Sequence, residues 1–398
     1  MTDLLPDVLS GYRVLDFGRF IAGPYCAALL GYMGAEVIRI ERPGGSEDRF
    51  LAPVTDKGDG GLFLQVNCNK KGMTLDISSE QGRAIVKQLV ATADVVVANM
   101  PPRALTSLGL DYEALTQIKS DIILATNTTY GSHSPDANKI GFDGIAQSMS
   151  GGPFFSGFPN QPIKSVVYYV DYSSALSSAL GIMAALMMRE RTGKGQVVET
   201  SLLATALTLG NSPLIEQAVI EANRIPTGNR NQLAAPADIF KTKDGFIIVQ
   251  VVGPYIYKRW ANLMGEEIWL TDPRFQDDIS RGNHNDILCE RTARWCAERT
   301  TADALAELEA ARVPCGPVLS YQEVLDHPSV HANGQLHKMD YPGLPRPAPI
   351  ATAPFRMSDT VIGITHRAPT VGEHTDEILE ELGYRASEIA AFSELGIV

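Results

Sequence analysis

Paired cysteines, a surplus of basic residues, a long unbroken apolar run and a glycine-rich nucleotide fingerprint are all missing from this chain. Its five cysteines, Cys26, Cys68, Cys289, Cys296 and Cys315, are odd in number and include no C-x-x-C pair. That argues against a disulfide framework and against a structural zinc site, so no metal is expected and the thiols read as reduced and packed. Positive charge is scarce: 34 Lys and Arg stand against 46 Asp and Glu, a formal net charge of −12. A nucleic-acid binder needs a basic face, so that class drops out. An anionic ligand held by local Lys and Arg remains compatible with an acidic protein. The sequence does not open on a basic segment with an apolar core, and its longest apolar run is broken by serines well short of about 18 residues. A cytoplasmic protein that does not engage a membrane is expected.

What is present is an ordinary globular composition, 44% hydrophobic and 20% charged over 398 residues, enough for a large core and more than one domain. The stretch from Ser165 to Leu202 organises the chain. Val166–Val170 is β-branched and aromatic, which predicts a short buried strand. From Tyr172 to Met188, Ala175, Leu176, Leu180, Met183, Ala184 and Met187 recur at helical spacing and predict a core helix. Asp171 therefore stands where strand gives way to helix. Unpaired N–H groups and the positive end of the helix dipole there favour an ionised carboxylate, the form a nucleophile must take. A helix N-cap is the plainer assignment for the same position, because Asp171, Ser173 and Ser174 are all good caps.

The opening of the chain reads as a strand over Tyr12–Gly18, a helix over Ala22–Gly34 with small residues for close packing, and a second strand over Glu36–Glu41. An acidic residue ending the second strand is also found in dinucleotide-binding domains. The intervening loop runs Gly18-Arg19-Phe20-Ile21-Ala22-Gly23-Pro24, however, and lacks G-x-G-x-x-G, so a nicotinamide or flavin loses its main support. Ser78 and Gln81 predict a capping box for a helix to Thr92, followed by strands over Asp94–Ala98 and Asp121–Thr126. Alternating strands and helices imply a mostly parallel sheet covered on both faces, with ligands bound at the carboxyl ends of its strands. A second helix is expected from Leu202 to Ala222. Ile225–Asn229 is loop-like, and Ala235–Tyr321 reads as a smaller α+β domain. Six prolines between His327 and Pro354 predict a long returning linker, and the last helices, Thr375–Leu382 and Ser387–Phe392, are expected to dock on the first domain.

Several motifs then fall in one order. Gly23-Pro24, Gly34-Ala35-Glu36-Val37-Ile38 and Ile40-Glu41-Arg42-Pro43-Gly44 come first, followed by Asn67-x-Asn69-Lys70-Lys71, Leu75-Asp76, Ala93-Asp94-Val95 with Asn99, and Phe142-Asp143 with Ala146-Gln147 and Ser150-Gly151. Asp171 precedes a helix ending Arg189-x-Arg191-Thr192-Gly193-Lys194-Gly195-Gln196, and Val313-Pro314-Cys315-Gly316-Pro317 and Gly372-Glu373-His374-Thr375-Asp376 close the series. Along nearly its whole length the chain resembles the class III CoA-transferase (CaiB/BaiF) family. The resemblance implies an α/β fold, with a large CoA-binding Rossmann-like domain built from both chain ends (1–222 and 340–398) and a small α+β domain with its return linker (223–339). It also implies an interlocked homodimer, with no tightly bound cofactor and a CoA thioester as substrate. By the same resemblance Asp171 is the nucleophile. Its carboxylate attacks an acyl-CoA to give an acyl-aspartyl anhydride and then an aspartyl-CoA thioester, from which a carboxylic acid takes CoA. Phe20, Ile21, Arg42, Leu75, Asn99, Met100, Pro101, Arg103 and Lys139 fall at the family's CoA contacts, with Arg42 suited to phosphate by its two-pronged guanidinium. Phe142, Tyr169 and Gly253 fall on the substrate side.

Departures from the family pattern narrow the expectation. Ser107 stands where an Arg is usual, so either Arg103 substitutes for it or the contact is missing. Ile21 replaces the Gln of oxalate-using members, and Gly253 is alone where those members have a run of glycines. Both changes favour an acid less polar than oxalate, either a small dicarboxylate or a larger hydrophobic acid. The nearest rival, an α-methylacyl-CoA racemase, needs a His where this chain has Phe142, which cannot move a proton. A non-catalytic CoA-binding subunit would not need Asp171. Thiol chemistry at Cys26 or Cys68 has no His nearby in sequence, and His133 reads as a loop residue.

Overall fold

The computed structural model describes residues 7–398. Six short strands, β1 (Arg13–Asp16), β2 (Glu36–Glu41), β3 (Lys70–Thr74), β4 (Val95–Ala98), β5 (Ile123–Thr128) and β6 (Val197–Ser201), form one sheet. All neighbours pair in parallel, in the order β3-β2-β1-β4-β5-β6. β4 reads Val-Val-Val-Ala and is buried throughout, as a strand covered on both faces must be. On one face Val14, Val37, Val95, Ile123 and Ala125 pack against Ala27 and Leu30 of the helix Ala22–Tyr32 and Ala175 and Ile182 of the helix Tyr169–Thr192. On the other face Leu15, Ile38, Val96 and Leu124 meet Ile85 and Leu89 of the helix Glu80–Thr92. Ile378, Leu379 and Ile389 of the last two helices, Thr375–Glu381 and Ala386–Glu394, complete that core. The fold is thus the expected mixed α/β with a parallel sheet, and its strand order reverses between β1 and β4.

The chain divides into two compact units. The first holds the chain up to Ser150, Ser165–Leu214 and Ser329–Val398; the second holds Gly151–Lys164 and Ile215–Pro328. In the second, β7 (Ala237–Lys241), β8 (Phe246–Gln250) and β9 (Cys315–Pro317) make an antiparallel sheet, and Phe240, Val249, Trp260, Leu288 and Leu308 build a separate core. Residues 151–164, read from the sequence as part of the large domain, are tied into the second unit. Gly228 N–H donates to Gly157 C=O at 2.8 Å.

Four local expectations are corrected. Val166–Val170 is not a buried strand: Val166 is 78% exposed, the segment is bent, and Tyr169 and Val170 already belong to the following helix. A β-branched run gives no strand where no neighbouring strand offers partners. The cap of the helix Glu80–Thr92 is Ser79, not Ser78, its hydroxyl accepting from Gly82 N–H. The second helix after Gly195 splits into Leu202–Leu209 and Asn211–Ile220 around Gly210. The proline-rich segment contains an antiparallel ribbon, Leu336–Met339 with Ala348–Ala351, rather than a featureless linker. Among the described residues one helix, Tyr169–Thr192, is long and apolar enough to cross a membrane. Its stripe of Val170, Ser174, Ala175, Ala179, Ile182 and Leu186 is buried as in a core helix.

Candidate active site

At the carboxyl ends of β1, β4 and β5 the chain surrounds a cavity of ≈ 280 Å3. The loop after β1 supplies Arg19, Phe20 and Ile21, that after β4 Asn99, Met100 and Pro101, and the end of β5 Asn127, Thr128 and Thr129. Lys139–Phe142 and Asp171 complete much of the wall. This is the point of strand-order reversal, where open α/β sheets bind ligands. A larger cavity, ≈ 710 Å3, opens beside Gly34, Glu36, Asn69 and Lys71. It lies at the opposite, amino ends of β2 and β3 and does not contain Asp171, so the smaller cavity is the one that fits the chemistry.

The β1 loop is held in an uncommon shape. Phe20 has φ of +63°, a left-handed conformation that a bulky residue adopts only when its surroundings impose it. Phe20 N–H donates to the Asp48 carboxylate at 3.0 Å. The Asn99 side chain clips the backbone of Arg19 from both sides, accepting from its N–H at 2.8 Å and donating to its C=O at 2.7 Å. Gly18 has to be glycine, since a Cβ there would lie 2.7 Å from both Asp16 Oδ1 and Pro24 Cδ. The Phe20 ring meets Phe142 edge to face at 5.1 Å.

Below this loop lies a buried charge network. Arg39 bonds Asp48 at 2.7 Å and lies 3.7 Å from Asp16. Lys70 bonds Asp16 at 2.7 Å, and Arg49 reaches Glu41 and Asp59. Glu41, the acid ending β2, is therefore engaged by arginine and is not free to receive a ribose.

Asp171 lies in the first turn of its helix and is 8% exposed. It is not the cap. The N–H groups of Val170 and Asp171 both donate to Asp143 Oδ2, at 2.9 and 3.0 Å. Asp143, 1% exposed, is further bonded by Gln147 Nε2, and Gln147 Oε1 accepts from Ser165 N–H at 3.0 Å. The capping carboxylate thus comes from 28 residues upstream, which leaves the Asp171 side chain to the cavity. It also reverses the electrostatic expectation. Burial, reinforced by the charge of Asp143, pushes the Asp171 carboxyl up to about 7 instead of holding it ionised. Asp143 is the residue sequence reasoning missed, though Phe142-Asp143 and Ala146-Gln147 were both visible as motifs.

The other expected positions scatter. Arg42 sits just past β2 with its side chain largely in solvent, donating to Gly45 C=O at 2.9 Å. Lys139 lines the cavity and pairs with Asp136 at 2.7 Å. Leu75 is sealed in the core. Arg103 is exposed on the helix Pro102–Leu108, and its N–H donates to Asn138 Oδ1 at 3.0 Å. Tyr169 is the first residue of the Asp171 helix and does not line the cavity. Gly253, with φ of +81°, precedes the helix Pro254–Met264 in the second unit. The thiols of Cys26 and Cys68 are buried and burial raises both, that of Cys68 to about 11, which makes them inert. His133 is exposed and outside the cavity wall.

Comparison with known proteins places this arrangement. The description CoA-transferase family III matches residues 9–375. Succinyl-CoA–D-citramalate CoA-transferase of Chloroflexus aurantiacus is 32% identical over 95% of this chain and 94% of its own length. Succinyl-CoA:glutarate CoA-transferase of Mus musculus is 31% identical over 94% of this chain and 86% of its own. The crystal structure of a CaiB/BaiF family protein from Brucella suis superposes with a TM-score of 0.80 at 31% identity, covering 95% of this chain and 100% of that one. A whole-length match in sequence and in fold, with the cavity where the fold binds ligands, leaves one assignment: the chain belongs to CoA-transferase family III and is an enzyme of that family.

Proposed function

We propose that this enzyme moves CoA from a dicarboxylic acyl-CoA to a second short-chain or dicarboxylic acid, with Asp171 as the covalent relay. The carrying observation is the Asp171 carboxyl itself, buried in the cavity wall while its helix is capped by Asp143. The carboxylate bonds to the thioester carbonyl carbon and CoA thiolate leaves, which forms a mixed anhydride. The thiolate then bonds to the Asp171 carbonyl carbon and expels the donor acid, leaving an aspartyl-CoA thioester. The acceptor acid repeats the two steps in reverse and departs as the new acyl-CoA. Each exchange is between groups of similar energy, so splitting the transfer lowers its barrier.

Succinyl-CoA as donor and a dicarboxylic acceptor are favoured by the names of both reported transferases. Ile21 and Phe142 in the cavity wall agree with an acid less polar than oxalate. Arg42 and Lys139 are the proposed CoA phosphate contacts, with Phe20, Asn99, Met100 and Pro101 lining the path of the cofactor. The proposed unit is an interlocked homodimer, supported by exposed Leu180, Met187 and Met188 on the Asp171 helix. The cytoplasmic setting rests on five unpaired thiols.

Incubation with succinyl-CoA and acetyl-CoA, quenching and peptide mass spectrometry is expected to place a CoA adduct on Asp171. Absence of an adduct with every donor, together with α-deuterium uptake from heavy water into a branched acyl-CoA, would replace the transferase by a racemase.

A further inference from the structure

Asn127 carries a second feature of the cavity, one with no counterpart in the motifs that mark the family. It is the fifth residue of β5, and side chains alternate along a strand. Ile123 and Ala125 belong to the core under the helices Ala22–Tyr32 and Tyr169–Thr192, while Leu124 belongs to the opposite core. Asn127 therefore continues the face that the Asp171 helix covers, and it lines the same cavity as Asp171. It is 5% exposed. Neither Nδ2 nor Oδ1 has a hydrogen-bond partner among the described residues. A buried amide left unpaired on both atoms is costly and uncommon, and it calls for a reason.

Several of the other polar groups around the cavity are engaged. The Asn99 amide holds Arg19, and the Arg19 guanidinium donates to the carbonyls of Phe17, Gly18 and Ile40. Lys139 pairs with Asp136, and Thr128 Oγ1 accepts from Gly131 N–H. The backbone N–H groups of Val170 and Asp171, which a helix start would ordinarily offer to a developing oxyanion, are taken by Asp143. Attack by Asp171 on a thioester moves the carbonyl π pair onto oxygen; collapse returns the pair and releases CoA thiolate. That transient charge needs a fixed donor in a site closed to water.

Resting on the Asp171 relay proposed above, we infer that the Asn127 side-chain N–H2 donates to the acyl oxygen of the thioester and stabilises the oxyanion formed during transfer. Its amide is held by burial and has no protein bond to break first. No proton or electron is exchanged at Asn127: the negative charge enters as the Asp171 carboxylate and leaves as thiolate.

The test is steady-state kinetics and thermal melting of Asn127→Ala and of Asn127→Leu, which keeps the shape but removes the donor. Both are expected to lower kcat on the order of 100-fold, with KM for the acyl-CoA within about threefold of the parent. Melting temperatures should not fall, because no protein hydrogen bond is lost. Unchanged kcat in either variant of a transferring enzyme would overturn the inference, as would melting temperatures that fall in step with kcat, since the amide would then be structural. An unmodified protein that neither transfers CoA nor forms an Asp171 adduct would instead overturn the relay, a result distinguishable before any variant is made.

Discussion

Asp171→Asn is expected to abolish CoA transfer while making the protein more heat-stable. The amide is a far poorer nucleophile than a carboxylate and cannot carry acyl or CoA groups through the relay, so activity should fall by roughly a thousandfold or more. The stability effect follows from the raised carboxyl. Burial and the neighbouring Asp143 charge bring Asp171 from 3.8 to about 7 in the folded protein. The folded state therefore holds its proton over a pH range in which the unfolded chain has lost it. Stability on this account is greatest below the unfolded value, declines as pH rises from near 3.8 to about 7, and is level above. The full penalty is on the order of 4 kcal/mol. Asn is neutral at every pH, so its gain in melting temperature should be small near pH 4, grow through that window and plateau at pH 8. A melting temperature lowered by the substitution at pH 8 would show that Asp171 is a structural residue.

The same titration sets the working pH. Attack needs the carboxylate, so kcat/KM should rise with pH and level off above about 7, the limb reporting the free enzyme. The sequence pointed the other way, toward an acid kept ionised by a helix N-terminus. What could not be read there was who takes the N–H groups. Asp143 is separated from Asp171 by a loop and two short helices, and only the fold brings its carboxylate onto the Val170 and Asp171 amides.

Much else was legible because it is local. Val95–Ala98 and Glu36–Glu41 declare themselves strands by their β-branched residues, and the small residues of Ala22–Tyr32 declare close helix packing. Val166–Val170 has the same composition and forms no strand, since propensity without a partner strand decides nothing. Asn127 was overlooked inside Ile123–Thr128, although a lone amide on the inward face of a buried strand is itself a signal. That Glu41 is claimed by Arg49, on the turn Glu47–Phe50, could not be read from its place at the end of the second strand.

That arginine cluster defines the second large effect. Arg39→Met is expected to destabilise the protein by about 3–5 kcal/mol, the usual result of removing one partner from a buried ion network. Arg39 is fully buried, donates to Asp48 and to Gly18 C=O, and lies within 4 Å of Asp16 and Glu41. Burial alone would lower its basicity, yet Asp48, Glu41 and Asp16 together raise it. Methionine matches the stem of the side chain but leaves those three carboxylates facing only Lys70, Arg49 and Arg19. The consequence reaches the active site through one bond. Asp48 Oδ2 accepts both from Arg39 and from Phe20 N–H, so a displaced Asp48 releases the left-handed residue on which the β1 loop depends. Arg39→Met should therefore raise KM for the acyl-CoA in the surviving folded fraction, in contrast to Asp171→Asn, which should leave binding nearly intact. Differential scanning calorimetry and acyl-CoA titration check the two parts. A variant that melts within about 1 °C of the parent would mean that the network contributes no net stability. A lower melting temperature with unchanged KM would mean that the loop is held by the Asn99 clip rather than by Asp48.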